Sequence, residues 1–145
     1  VINRYKKDTY TIGVVKNFGI NHGALASTVG HDSHNITIVY DNPKNALLAL
    51  QQLIKQKGGF CAIEDGKVIA SLELPVAGLM SDESINVIVD KITKMNKANV
   101  RLGNTYIDNP ISRITILSLL VCPYVKISDK GIVLTEEKKY VPLFY

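Results

Sequence analysis

One stretch decides the fold class of this sequence: Phe60-Cys61-Ala62-Ile63-Glu64-Asp65-Gly66-Lys67-Val68-Ile69-Ala70-Ser71-Leu72. Apolar and β-branched residues fill both of its halves, as they do in strands that pair with each other. Between the halves, the Asp65-Gly66 pair suits a tight turn with positive φ angles. The stretch therefore predicts a β-hairpin, and with it a sheet that is at least partly antiparallel.

A helix is predicted before this hairpin. Asp41 or Asn42 offers a side chain that accepts from the first free N–H groups, and Pro43 suits the first helical position. The helix is expected to end at Gly58-Gly59. Apolar residues at helical spacing predict one buried stripe, made of Leu47, Leu50, Leu53 and Ile54.

A second helix is predicted after the hairpin. Ser81 is its expected N-cap, and Asp82 and Glu83 would lie in the first turn, where negative charge is favoured. Gly103 is its expected end. The expected apolar side consists of Ile85, Ile88, Val89, Ile92, Met95 and Leu102.

Strand-like segments flank both helices. They lie at residues 10–15, 36–40, 114–121, 124–127 and 140–144, with turns at 108–110 and 128–131. Six to eight strands with two main helices predict an α+β fold, in which mixed, largely antiparallel sheet structure packs against the helices. No repeat or internal linker interrupts the chain, so residues 1–145 are expected to form a single domain.

Composition narrows the classes of function. With 145 residues, 46% of them hydrophobic, the chain is large and apolar enough to fold without a disulfide or metal staple. No apolar run is long enough to span a membrane, and the lysines are scattered, so neither a membrane nor a nucleic acid is an expected partner. Cys61 and Cys122 lack CxxC spacing and are predicted to be buried thiols of a cytoplasmic protein. Because the sequence opens on Val1 without a signal-peptide pattern, we expect a piece of a longer chain or a processed one.

One polar run is the candidate site: His31, Asp32, Ser33, His34 and Asn35. On an extended backbone His31 and Ser33 would face one way and Asp32 and His34 the other, whereas on a helical turn the two histidines would meet. Either geometry allows Asp32 to orient an imidazole that acts as a general base. The alternative is a structural loop whose side chains cap backbone groups. The third histidine, His22, lies in a separate turn and adds no metal-ligand spacing, so no metal site is predicted in this chain.

Five longer strings stand out along the chain. They are Phe18-Gly19-Ile20, residues 23–36, Leu74-Pro75-Val76-Ala77-Gly78-Leu79-Met80-Ser81-Asp82, Lys126-Ile127-Ser128-Asp129-Lys130-Gly131 and Val141-Pro142-Leu143-Phe144. In this order they resemble the C-terminal domain of bacterial and archaeal-type adenine deaminases, of the amidohydrolase superfamily. The resemblance covers essentially the whole chain.

The resemblance implies a hydrolase that converts adenine to hypoxanthine and ammonia in purine salvage, in the cytoplasm. In that family manganese or iron is held by a TIM-like barrel that precedes this domain, so the metal ligands are expected to lie outside this chain. The chain alone is therefore expected to bind no metal and to lack deaminase activity. Adenine and the barrel are the implied partners, and a homo-oligomer is left open.

The resemblance leaves two roles for the His31 to Asn35 run. Either this loop packs over the mouth of the barrel, where it closes the site or orients substrate or a proton-transfer group, or it stabilises the domain and its contacts. A function of a different class, a non-catalytic module for oligomerisation or small-ligand binding, is the alternative. The chain departs from the family at residues 111–118, where Arg113 stands in an apolar segment, and at Tyr5-Lys6-Lys7-Asp8.

Overall fold

The computed structural model describes residues 1–5, 8–105 and 110–144. Within these ranges the chain forms three helices and seven strands in two antiparallel sheets, which confirms the α+β prediction. In chain order the elements are β1 (Ala24–Ser27), β2 (Thr37–Tyr40), α1 (Pro43–Lys55), β3 (Gly59–Glu64), β4 (Lys67–Glu73), α2 (Ile85–Arg101), α3 (Pro110–Leu117), β5 (Val125–Ser128), β6 (Gly131–Leu134) and β7 (Lys139–Val141).

The larger sheet has the strand order β2-β1-β3-β4, with antiparallel pairing throughout. The predicted hairpin is confirmed as β3 and β4, with Glu64 opposite Lys67. Asp65 and Gly66 form its turn with φ angles of 48° and 70°, as a tight hairpin turn requires. This pairing places the end of β1, the start of β3 and the end of β4 at the same edge of the sheet.

Helices cover both faces of this sheet. Helix α1 packs on one face, where Ala24, Ala26, Cys61 and Ile63 meet Ala49 and Leu53. Helices α2 and α3 pack on the other face, where Leu25, Phe60 and Ala62 meet Met95 and Ile114. Because β1 and β3 are buried on both sides, they carry apolar or small residues at nearly every position. This is why β1 was not predicted from an alternating pattern.

Helix α1 begins as predicted but buries a different stripe. Asn42 is its N-cap and accepts from the backbone N–H of Asn45 at 3.0 Å. The predicted stripe is confirmed only in part, because Leu53 is buried and Leu50 partly buried, whereas Leu47 and Ile54 are exposed. The buried line is Asn45, Ala49 and Leu53, spaced by four residues. Small side chains on the sheet and on the helix let the two approach closely.

Helix α2 starts later than predicted. It begins at Ile85 with Ser84 at the N-cap position. Ser81 instead accepts from the backbone N–H of Glu83 at 3.2 Å, so it closes a local turn before the helix. Ile85, Val89 and Ile92, predicted on the apolar side, are exposed. The buried residues of this helix and its cap are Met95, Ala98, Asn99 and Leu102.

Two predicted strands were wrong. Residues 114–121 were expected as a strand, but α3 occupies the first part of this segment, with Ile114 fully buried and Ile111 and Leu117 partly buried at helical spacing. Residues 10–15 form no strand beyond one bridge between Tyr10 and Ile2. Of the turn predicted at 108–110, residues 108 and 109 lie outside the described ranges, as do Lys6 and Lys7.

The smaller sheet is the meander β5-β6-β7, which confirms the strands expected near 124–127 and 140–144. Ser128 accepts from the backbone N–H of Lys130 at 3.1 Å in the predicted turn. Arg113 of α3 lies over the ring of Phe18 and donates to the carbonyl of Asn17, which gives this charged residue a partner in an apolar segment. Over the described part of the chain, no helix combines the length and apolar content needed to cross a membrane.

Candidate functional site

Two of the sequence segments described above form loops at the same edge of the four-stranded sheet. Residues 31–35 connect the end of β1 to the start of β2, and residues 74–82 follow the end of β4. Thr28 joins these loops, because its Oγ1 donates to the carbonyl of Gly78 (2.7 Å) and accepts from the N–H of Gly59 (2.8 Å). Both loops are thereby held on one rigid edge.

The tip of the 31–35 loop is polar and exposed. His31, Asp32 and Ser33 are exposed in a turn, and His34 is half-buried. The imidazole rings of His31 and His34 lie 5.8 Å apart, so the turn brings together the two histidines that an extended strand would separate. Among the described residues Asp32 hydrogen-bonds to neither ring, so the orienting role considered for its carboxylate is not seen here.

His34 has an unusual backbone conformation. Its φ angle is 49°, in the left-handed region, and its N–H donates to the carbonyl of Gly30 at 2.6 Å. Such a conformation costs a residue other than glycine about 1–3 kcal/mol, and it persists only where the surrounding structure fixes it. The N–H of Gly30 lies 3.5 Å from Nδ1 of His34, at the long limit of a hydrogen bond. The turn therefore constrains both the backbone and the ring of His34.

The base of the loop is buried and tied down. Asn35 is 3% exposed, and its Nδ2 donates to Oδ1 of Asp129 at 3.0 Å. Asn3 and Thr9 donate to Oδ2 of the same carboxylate, at 2.9 and 2.8 Å. The hydrogen bond from Asn3, with those from Thr9 and Asn35, holds the pKa of Asp129 below its ordinary value although burial opposes this. The carboxylate is therefore ionised at neutral pH and accepts from three side chains, two of them in the N-terminal segment.

The 74–82 loop is shaped by a tight bridge. The N–H of Val76 donates to the carbonyl of Met80 at 3.0 Å, and Ala77 and Gly78 between them have positive φ angles. The guanidinium of Arg4 donates to the carbonyl of Ala77. Met80 remains exposed. The loop thus presents an apolar side chain at the same sheet edge as the two histidines.

A second ionic cluster lies at the opposite edge of the sheet. Nε2 of His22 lies 3.1 Å from Oε1 of Glu64, and Arg101 of α2 pairs with Oε2. The hydrogen bond from Arg101, followed by that from His22, lowers the pKa of Glu64. This cluster links a turn, β3 and α2, and it does not include the predicted site residues. No sequence pattern predicts this cluster, because His22, Glu64 and Arg101 are far apart along the chain.

The described residues do not fit a metal ion. Within them no group of three His, Cys, Asp or Glu side chains converges, and His31 and His34 therefore have no third ligand.

The structure also has a groove of about 1400 Å³. It lies between residues 10–21, β2, α1 and the β5–β6 hairpin. Its lining includes the exposed apolar side chains of Ile12, Val14 and Leu47. A surface of this kind is typical of a contact with another protein or domain.

Two of the site's supporting residues were not predicted. Asp129 is predicted only as part of the turn at 128–131, and no individual role is predicted for Thr28. A local signal existed only for Asp129, since an aspartate in a turn closed by Gly131 is an ordinary turn feature. Their contacts with Asn35 and Gly78 depend on the tertiary fold and could not be read from spacing.

The chain is similar to known proteins over nearly its whole length. A model of the family described as the adenine deaminase C-terminal domain matches residues 1–139. The chain is 41% identical to a protein named adenine deaminase from Thermosipho melanesiensis over 144 residues, which covers 99% of this chain and 25% of the relative. It is 41% identical over 133 residues to an adenine deaminase from Borreliella burgdorferi, covering 91% of this chain and 24% of the relative.

A further relative, named adenine deaminase 1, comes from Agrobacterium fabrum. It is 44% identical over 134 residues, which cover 92% of this chain and 23% of the relative. The chain thus spans about a quarter of the length of the curated relatives that it matches.

Proposed function

This chain belongs to the adenine deaminase C-terminal domain family, and from that premise we propose that it is the C-terminal part of a hydrolytic adenine deaminase. The full enzyme converts adenine to hypoxanthine and ammonia, in purine salvage in the cytoplasm. Manganese or iron is held by a barrel domain outside this chain. The 145-residue chain by itself is expected to be inactive, and its 31–35 loop covers the catalytic site of that barrel.

The contrast in exposure within the loop supports this role. Asn35 is buried and hydrogen-bonded to Asp129, while the side chains of His31, Asp32 and Ser33 are exposed and accessible to a ligand. Among the described residues, no hydrogen bond ties the side chain of His31, Asp32 or Ser33 to a backbone group, as a purely capping role would require. The loop instead presents two adjacent imidazoles on a fixed base.

The proposed reaction requires a proton donor, and these imidazoles could supply one. Hydrolysis forms a bond from a water oxygen to C6 of adenine and breaks the bond to the exocyclic nitrogen, which must gain a proton to leave as ammonia. Histidine is the side chain best suited to exchange protons near neutral pH. His31 or His34 would act there by donating a proton or a hydrogen bond to the purine, while the loop excludes bulk water.

The test is to replace each histidine in the full-length enzyme. His31→Asn and His34→Asn remove the proton-transfer group while keeping a polar side chain, and we expect at least one to lower kcat/KM for adenine by about a hundredfold. His22→Asn is the matched control, because His22 pairs with Glu64 at the opposite edge. Unchanged kcat/KM in both loop variants, with only a lowered Tm, would contradict the catalytic role.

The second candidate function is a non-catalytic module for oligomerisation or small-ligand binding. The exposed apolar groove beside Ile12, Val14 and Leu47 favours it. Light scattering on the 145-residue chain, with and without adenine, separates the two candidates. A stable oligomer that Leu47→Lys dissociates would support the module, and ammonia release from this chain with added Mn²⁺ would contradict its expected inactivity.

A further inference from the structure

Asp129 lies far from the candidate loop in sequence but supports it directly. It occupies the turn between β5 and β6, 94 residues after Asn35, and accepts from Asn35, Asn3 and Thr9. Both Asp129 and Asn35 are buried. A buried carboxylate is tolerated only where donors satisfy it, and here three donor side chains come from the N-terminal segment and from the end of the loop.

The hydrogen bond between Asn35 and Asp129 fixes the orientation of the Asn35 amide. An ionised carboxylate can only accept, so Asn35 must present its Nδ2 rather than its Oδ1 to Asp129. Its Oδ1 is buried without a hydrogen-bond partner among the described residues. The contact with Asp129 is therefore what holds this side chain in place.

Asn35 directly follows His34, whose positive φ angle must be maintained by its surroundings. On the other side of Asn35, Ile36 exchanges two backbone hydrogen bonds with Ile2, at 2.8 and 2.9 Å. The loop is thus clamped just after its histidines by Asp129 and by the strand-like contact of Ile2. Of these, only the Asp129 contact acts through a side chain.

We propose that Asp129 is a positioning residue, which acts through Asn35 to fix the orientation of the His31 and His34 imidazoles. The small sheet thereby helps to order the candidate site. Its relevance to catalysis rests on the proposed function of the loop, whereas the positioning itself does not.

The first test measures positioning in the 145-residue chain. Side-chain NMR signals of the His31 and His34 imidazoles are compared in wild type, Asp129→Ala, Asn35→Ala and the double variant. We expect both single variants to shift these signals in the same way, and the double variant to add little, because both break one contact. Asn45→Ala is the control: it also removes a buried, hydrogen-bonded asparagine, but one at the start of α1.

A rescue variant keeps the test decisive if Asp129→Ala folds poorly. Exchanging the partners, with Asn35→Asp and Asp129→Asn together, restores an amide-to-carboxylate hydrogen bond with its direction reversed. We expect this pair to return the imidazole signals toward wild type. Signals that stay unchanged in Asp129→Ala and Asn35→Ala, while Tm falls as in Asn45→Ala, would overturn the proposal.

Kinetics in the full-length enzyme then test the consequence. Displaced imidazoles should lower kcat/KM for adenine by about tenfold to a hundredfold in Asp129→Ala, mainly through kcat, with recovery in the exchanged pair. Shifted imidazole signals with unchanged kcat/KM would uphold the positioning role and contradict the proposed function of the loop.

Discussion

The hydroxyl of Thr28 donates a 2.7 Å hydrogen bond to the carbonyl of Gly78. The same oxygen accepts from the N–H of Gly59, so one buried side chain joins β1, β3 and the loop after β4. This contact places the 31–35 and 74–82 loops on a common frame. It also makes Thr28 the residue whose loss would separate them.

Replacing Thr28 by Val should test this frame. The change keeps the shape but leaves the Gly59 N–H and the Gly78 carbonyl without this partner, and we expect a loss of about 1–3 kcal/mol in the free energy of unfolding. Urea denaturation provides the measurement. Thr28→Ser retains the hydroxyl and should cost about 1 kcal/mol or less; equal losses in the two variants would show that the hydrogen bonds do not matter.

The two leucines of α1 should respond very differently to truncation. Leu53 is 1% exposed in the core, so Leu53→Ala should lower the free energy of unfolding by about 2–5 kcal/mol. Leu47 is 56% exposed, and Leu47→Ala should change it by about 0.5 kcal/mol or less in the isolated chain. Comparable losses would mean that the helix buries the stripe predicted from the sequence.

The cysteines should differ in reactivity. Burial raises the pKa of the Cys61 thiol to about 12, so its nucleophilic thiolate is scarce at neutral pH, whereas Cys122 is only half-buried. A thiol reagent applied to the native chain should therefore label Cys122 and spare Cys61, and denaturant should make both react. Rapid labelling of Cys61 in the native state would show that the core beside α1 opens readily.

Asp129 should make the fold sensitive to acid. Its folded-state pKa is held below the ordinary 3.8, foremost by the hydrogen bond from Asn3, so the folded chain binds this proton less readily than the unfolded chain. Its stabilising contribution is therefore complete above about pH 4 and is lost as pH falls toward the lower folded value. The stability gap between wild type and Asp129→Asn should be widest at neutral pH and narrow in acid. A gap independent of pH would contradict this.

Local signals predicted the parts of the fold that are specified locally. The Asp65-Gly66 turn fixed the hairpin, and Asn42 with Pro43 fixed the start of α1. The all-buried β1 has no alternation to reveal it, and the β-branched residues around Ile114 favour a strand although burial selects a helix. The secondary structure of these two segments depends on what each of them packs against.

The candidate site shows the same division. The run from His31 to Asn35 was recognisable by its composition, since polar residues interrupt an apolar region. The contact of Asn35 with Asp129 was not, because nothing in the sequence couples positions 94 residues apart. Long-range polar contacts are set only when the chain is folded.

Protection of the loop histidines by ligand tests the central claim most directly. In the full-length enzyme, diethyl pyrocarbonate modification of His31, His34 and His22 is followed by peptide mass spectrometry with and without hypoxanthine, the proposed product. We expect hypoxanthine to slow modification of His31 and His34 several-fold while His22 at the opposite edge reacts at an unchanged rate. If saturating hypoxanthine left the modification rate of each of the three histidines unchanged, the result would contradict a loop that covers the catalytic site.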